Sequence, residues 1–97
     1  MKIITWNCHG AFRKKMHLLD KYKPDIVVIQ ECENPDKSDD YKSVFYNWAD
    51  LIIWKGVEEN KKGVGVFAFN DNNIATLDWG HFEYDYFFLV VLTSLLI

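Results

Sequence analysis

The sequence predicts an α/β fold that opens with a βαβ unit and continues in antiparallel strands. Two observations carry that expectation. Residues 2–30 run strand, helix, strand, and much of the remainder divides into short β-prone stretches separated by turn-forming residues.

Lys2 to Trp6 is a run rich in β-branched and aromatic residues, ended by Gly10. Phe12, Met16 and Leu19 then fall on one face of a helical period, with Tyr22 one turn further on. Pro24 disfavours helical geometry at Lys23, so the helix is expected to stop there. Asp25 to Gln30 is an apolar run that suits a strand buried on both faces of a parallel sheet. The crossover is expected to be right-handed and the two strands parallel. Asn34 to Asp40 is a polar turn around Pro35, and shorter strands are expected at Ser43–Tyr46, Leu51–Trp54, Val64–Phe69 and Ile74–Leu77. Phe87 to Ile97 reads as a core strand, and an apolar β-prone segment without partners favours self-association through exposed strand edges.

The chain has 97 residues, room for one small domain. Its 16% aromatic content requires a packed core and argues against disorder. A net charge of −3 gives no general attraction to nucleic acid, so a phosphate-bearing substrate would be held by a bound cation or a local basic patch. Arg13-Lys14-Lys15 and Lys61-Lys62 are the two patches, and Lys61-Lys62 reads as solvated surface. The longest apolar run is too short to cross a bilayer, and no signal peptide is visible, so a cytoplasmic location is expected.

In a βαβ unit, Asn7 and Glu31 fall at the carboxyl ends of neighbouring strands, the edge where open α/β sheets place their ligands. A phosphate ester resists attack because it is anionic. Mg²⁺ or Mn²⁺ neutralises that charge, and Mg²⁺ typically takes only one or two protein carboxylates. Glu31 fits such an anchor, and the Asn7 amide adds a polar contact without further negative charge. By residue type alone, Asn7 reads as a turn residue and Glu31 as a solvated carboxylate, and their placement makes the two readings comparable. Cys8 and Cys32 each follow one of these residues. Alternation puts both sulfurs on the opposite face, as buried free thiols rather than a zinc site with His9.

Lys2-Ile3-Ile4-Thr5-Trp6-Asn7-Cys8-His9-Gly10 resembles the first strand of the endonuclease/exonuclease/phosphatase superfamily, with its Trp-Asn-x-x-Gly signature. Pro24-Asp25-Ile26-Val27-Val28-Ile29-Gln30-Glu31 resembles that family's second motif, and Gly63-Val64-Gly65-Val66-Phe67 resembles its Gly-x-Gly strand. The resemblance spans about Met1 to Phe69. It implies part of a four-layered α-β-β-α sandwich, with residues 1–97 as a single incomplete domain. It also implies a divalent metal, Mg²⁺ or Mn²⁺, at the sheet edge, and hydrolysis of phosphate esters, nucleic acid among the candidate substrates. Glu31 then ligates the metal and Asn7 organises metal and phosphate, with His9 and Arg13 as substrate contacts.

The family's later motifs, Asp-x-Asn after a strand and Ser-Asp-His, are not matched. Asp71-Asn72-Asn73 has the first spacing but sits in a turn too early in the chain. Activity of these residues alone is therefore expected to be weak or nil. The alternatives are a non-catalytic remnant or interaction module of the same fold, and an unrelated small α/β ligand-binding domain.

Overall fold

The computed structural model describes residues 1–56, 58 and 61–70, together with the backbone of two further strands at 74–77 and 89–92. Strands β1 (Ile3–Asn7), β2 (Ile26–Cys32), β3 (Leu51–Lys55) and β4 (Gly63–Ala68) form one mixed sheet in the order β1-β2-β4-β3. β1 and β2 are parallel, whereas β4 runs antiparallel to both β2 and β3. Strands β5 (Ile74–Leu77) and β6 (Leu89–Leu92) pair antiparallel in a separate two-stranded sheet. The result is a small α/β fold. The rest of the expected strand Phe87–Ile97, and the Asp71-Asn72-Asn73 turn, lie outside the described residues.

The crossover between β1 and β2 departs from the expected helix. It consists of two 3₁₀ segments, Phe12–Lys14 and Met16–Tyr22, closed by i→i+3 bonds such as Lys15 N–H to Phe12 O at 2.8 Å. Tertiary anchors override propensity here. Lys15 Nζ donates to Cys8 O at 2.6 Å, and Asp20 Oδ1 accepts from Trp48 Nε1 at 2.9 Å. The apolar face nevertheless lands as its spacing implies. Phe12 and Leu19 are buried and Met16 packs against them, while Tyr22 is exposed.

The expected strand at Ser43–Tyr46 is instead the middle of an α-helix, α1 (Asp39–Trp48). Ser38 caps it, its side chain accepting from Tyr41 N–H at 3.2 Å, and Asp39 and Asp40 place negative charge at the positive end of the helix dipole. Tyr41, Phe45 and Trp48, spaced i, i+4 and i+7, all join the core. A short window centred on Val44-Phe45-Tyr46 hides that spacing.

The core lies between the sheet and the α1 and crossover layer. Phe12, Phe45 and Phe67 are fully buried, with ring centroids 5.4–6.3 Å apart, and Trp48 packs edge-on to Phe12 and Phe67 at 5.5 Å. On the other sheet face, Ile26, Val66 and Ala68 are buried among Val28, Leu51 and Ile53. β2 is thus buried on both faces, as its composition predicts. Among the described residues, no helix is long and apolar enough to cross a membrane.

Candidate functional site

β1 and β2 end side by side, with Asn7 paired to Gln30 in the parallel register. A regular β2 would therefore send Glu31 to the face opposite Asn7, into the aromatic core. A β-bulge prevents this. Ile29 pairs with Gly65 and Cys32 with Gly63, so Gln30 and Glu31 together oppose the single residue Val64. Glu31 carries the irregularity with a left-handed φ of 56°. Ile29 and Cys32 on either side both remain in the core, and the Glu31 side chain emerges partly exposed at the strand end.

Asn7 is exposed and builds the loop that follows β1. Its Oδ1 accepts from His9 N–H at 3.1 Å, an Asx turn. His9 (φ 59°), Gly10 (φ 90°) and Ala11 (φ 53°) form a left-handed run that folds the loop back towards β2. This brings His9 Nδ1 to 3.3 Å from Glu31 Oε2. The separation suits an ion pair when the imidazole is protonated, but the two groups lack hydrogen-bond alignment. Oε2 is shielded from water and has no hydrogen-bond partner among the described residues. Asn7, His9 and Glu31 are thus linked side by side, with one carboxylate oxygen left unsatisfied.

The thiols lie behind this group. Cys8 and Cys32 are free and buried. Cys8 Sγ donates towards Gln30 O at 3.5 Å and Glu31 O at 3.7 Å, so it serves the carbonyls that the bulge disrupts. Trp54 Nε1 donates to Cys32 O at 3.0 Å from β3. Burial pushes the Cys32 thiol pKa up, reinforced by the nearby Glu33 carboxylate and by Cys8. A Cβ on Gly65 would stand 3.0 Å from Cys32 Sγ and 2.8 Å from the Phe67 ring, which accounts for a glycine beside the residue that opposes the bulge.

Arg13 stands apart. Its backbone N–H donates to Glu33 Oε1 at 2.6 Å, and its guanidinium lies 4.6 Å from the centroid of the Tyr41 ring on α1. Among the described residues, none of its contacts is with Asn7, His9 or Glu31. Besides Lys15, a cation that comes close to the loop is Lys62, which the sequence presents only as surface. Its Nζ lies 2.8 Å, and its Cε 3.0 Å, from the point a Cβ on Gly10 would occupy. Only the pairing of β4 with β2 reveals this, since Lys62 and Gly10 are far apart along the chain.

The donor set suits a hard cation, which prefers carboxylate and amide oxygens. Glu31 offers an unsatisfied oxygen, and Asn7, at the end of the neighbouring strand, an amide oxygen that already accepts from His9 N–H. Among the described residues there is no group of three or more His, Cys, Asp or Glu placed to hold a metal. An ion held by these two side chains would keep most of its waters. Compared with known proteins, the chain matches no family model, no curated protein and no solved structure.

Proposed function

We propose that this chain carries the metal- and phosphate-binding part of a divalent-metal-dependent phosphoester hydrolase of the endonuclease/exonuclease/phosphatase type. The observation that carries the reading is the Glu31 carboxylate, turned out of the core by a bulge at a sheet edge with Oε2 unsatisfied. A buried carboxylate oxygen without a hydrogen bond costs about 1–3 kcal/mol, so a cation there would offset a standing penalty. The motifs at Trp6-Asn7, Gln30-Glu31 and Gly63-Val64-Gly65 support the same reading, and the expected architecture is a portion of the four-layered sandwich.

Glu31, with Asn7 at the end of the neighbouring strand, would hold Mg²⁺ or Mn²⁺. The bound ion would supply charge neutralisation of the phosphate and polarisation of a phosphoryl oxygen. Asn7 positions the His9 loop through its Oδ1. His9, with its side chain 83% exposed, is open to an incoming phosphate oxygen. The sequence offers no Ser-Asp-His segment to provide a general base, so hydrolysis by these residues alone is expected to be weak or nil.

The test is Mn²⁺ binding, followed by paramagnetic broadening of backbone amide signals. Broadening centred on Asn7, His9 and Glu31 that disappears in Glu31→Gln supports the reading. Broadening elsewhere, or unchanged in Glu31→Gln, overturns it.

A second reading, an interaction module of the same fold, draws on the sheet order. It leaves β1 at an edge, with Ile3 50% exposed. Concentration-dependent self-association in sedimentation experiments, lost on Ile3→Lys, would favour it.

A further inference from the structure

We propose that Lys62 is a phosphate-contacting residue of this site, its ammonium held over Gly10 beside the Asn7–His9–Glu31 group. The proposal rests on the metal-dependent reading above and adds to it the protein's own counter-charge for the substrate.

Three observations lead there. The first is backbone register. Gly63 pairs with Cys32, so Lys62 is placed by β4 at the strand end where Glu31 emerges. This placement does not depend on the side chain's rotamer.

The second is the fit between Lys62 and Gly10. Gly10 has φ +90°, and the last three atoms of the lysine side chain lie 2.8, 3.0 and 3.6 Å from where a Cβ on residue 10 would stand. The missing side chain at position 10 leaves room for the lysine tip against the loop backbone. That loop includes His9, whose imidazole reaches Glu31.

The third is how the neighbouring cations are used. Lys61 Nζ pairs with Glu58 at 3.5 Å, Lys15 Nζ is bound to Cys8 O, and the Arg13 guanidinium lies over Tyr41. Lys62 has no acidic partner among the described residues. Among the described residues its charge is uncommitted, and it is the lysine whose tip reaches the Gly10 loop without a hydrogen-bond partner.

An ammonium at this point has a definite chemical use. The site brings an anionic carboxylate to a place where an anionic phosphate must approach, in a chain of net charge −3. A metal held by Glu31 would offset the carboxylate. A lysine then draws in a non-bridging phosphate oxygen as a point charge, without the fixed geometry a guanidinium demands.

The experiment uses the full chain, inorganic phosphate and Mg²⁺, with phosphate affinity read from shifts of the His9, Gly10 and Gly63 amides. Mn²⁺ broadening is read separately on the same proteins. Lys62→Gln is expected to weaken phosphate roughly three- to fivefold, the scale of an exposed charge pair, with Mn²⁺ broadening unchanged. Lys62→Arg should restore most of the affinity, and Lys61→Gln should bind as the parent does. If Mn²⁺ does not localise at Glu31, the metal-dependent reading falls and the role of Lys62 falls with it. If Mn²⁺ localises there but the parent takes up no phosphate, or Lys62→Gln binds it equally well, the Lys62 proposal alone is overturned. An equal loss in Lys61→Gln likewise overturns it, because it would show a diffuse charge effect.

Discussion

His9 Nδ1 stands 3.3 Å from Glu31 Oε2, and both residues hold left-handed backbone, at φ 59° and 56°. Neither is glycine, so each carries a local cost of about 1–2 kcal/mol relative to ordinary geometry. Two strained residues meeting across neighbouring strand ends fit the proposed site, where position would matter more than local stability. The cost is sustained by the surroundings. The Asn7 side chain fixes the His9 turn, and the buried Ile29 and Cys32 clamp the bulge from both sides.

From this follows a trade between stability and binding at position 31. Glu31→Gly removes the left-handed penalty and the unsatisfied oxygen together. It should raise unfolding free energy by about 0.5–1 kcal/mol in a denaturant titration, after allowing for glycine's greater freedom in the unfolded chain. The same variant should lose localised Mn²⁺ binding. A clear loss of stability would mean that the carboxylate makes a favourable contact in the native protein, contrary to the strained site described here.

Much of this arrangement is legible in the sequence. The run Ile26-Val27-Val28-Ile29 announces a strand buried on both faces, and Asn7 and Glu31 fall at strand ends by spacing alone. What alternation cannot supply is the bulge. From the register of β1 and β2, Glu31 belongs in the core, and it is the extra residue opposite Val64 that brings it out. Nor can local pattern place Lys62 over Gly10, since that contact depends on β4 pairing with β2. The helix α1 is legible in principle from Ser38, the two following aspartates and the Tyr41-Phe45-Trp48 spacing, but the β-prone run Ser43–Tyr46 masks them in a short window. The 3₁₀ crossover was not readable, because its shape follows from tertiary anchors at Lys15 and Asp20.

The cap of α1 should be measurable by itself. Ser38 Oγ accepts from Tyr41 N–H, and replacing it with alanine leaves that donor to water. Ser38→Ala should lower stability by about 1 kcal/mol, and Ser38→Asp should recover most of it, since aspartate caps equally well. Equilibrium unfolding of the three proteins decides the matter. No change in Ser38→Ala would mean that α1 is held by the packing of Phe45 and Trp48 alone.

Phe12 links the crossover to the core. It is fully buried and packs against Trp6, Phe45, Trp48 and Phe67, with centroids 5.4–6.3 Å away. Phe12→Ala would cost about 3–5 kcal/mol, a large part of what a domain of this size possesses. Phe12→Leu keeps most of the volume and should cost about 1–2 kcal/mol, which leaves a folded protein to measure. Near-ultraviolet circular dichroism should weaken in Phe12→Leu while far-ultraviolet signal persists. Unchanged stability in that variant would show that the crossover is only loosely attached.

The thiols give a test at high pH. Cys32 is fully buried, and burial, then Glu33, then Cys8 raise its pKa above the ordinary thiol range. The sign follows from comparing the two states. Below the unfolded thiol pKa of roughly 8.5, the group is protonated in both, and its contribution to stability is fully present. Above that value the unfolded chain loses the proton while the folded chain keeps it, so stability falls as pH rises towards the folded value. Denaturant midpoints should therefore drop from pH 8 to pH 10. Cys32→Ala should flatten part of that drop, although the smaller side chain lowers stability at every pH by leaving a gap beside Phe67. The same burial should block reaction with a thiol reagent at pH 8 in the folded protein and permit it in guanidinium chloride. Rapid labelling of Cys32 under native conditions would show that the strand end opens. The bulge that presents Glu31 would then be a transient feature rather than a fixed one.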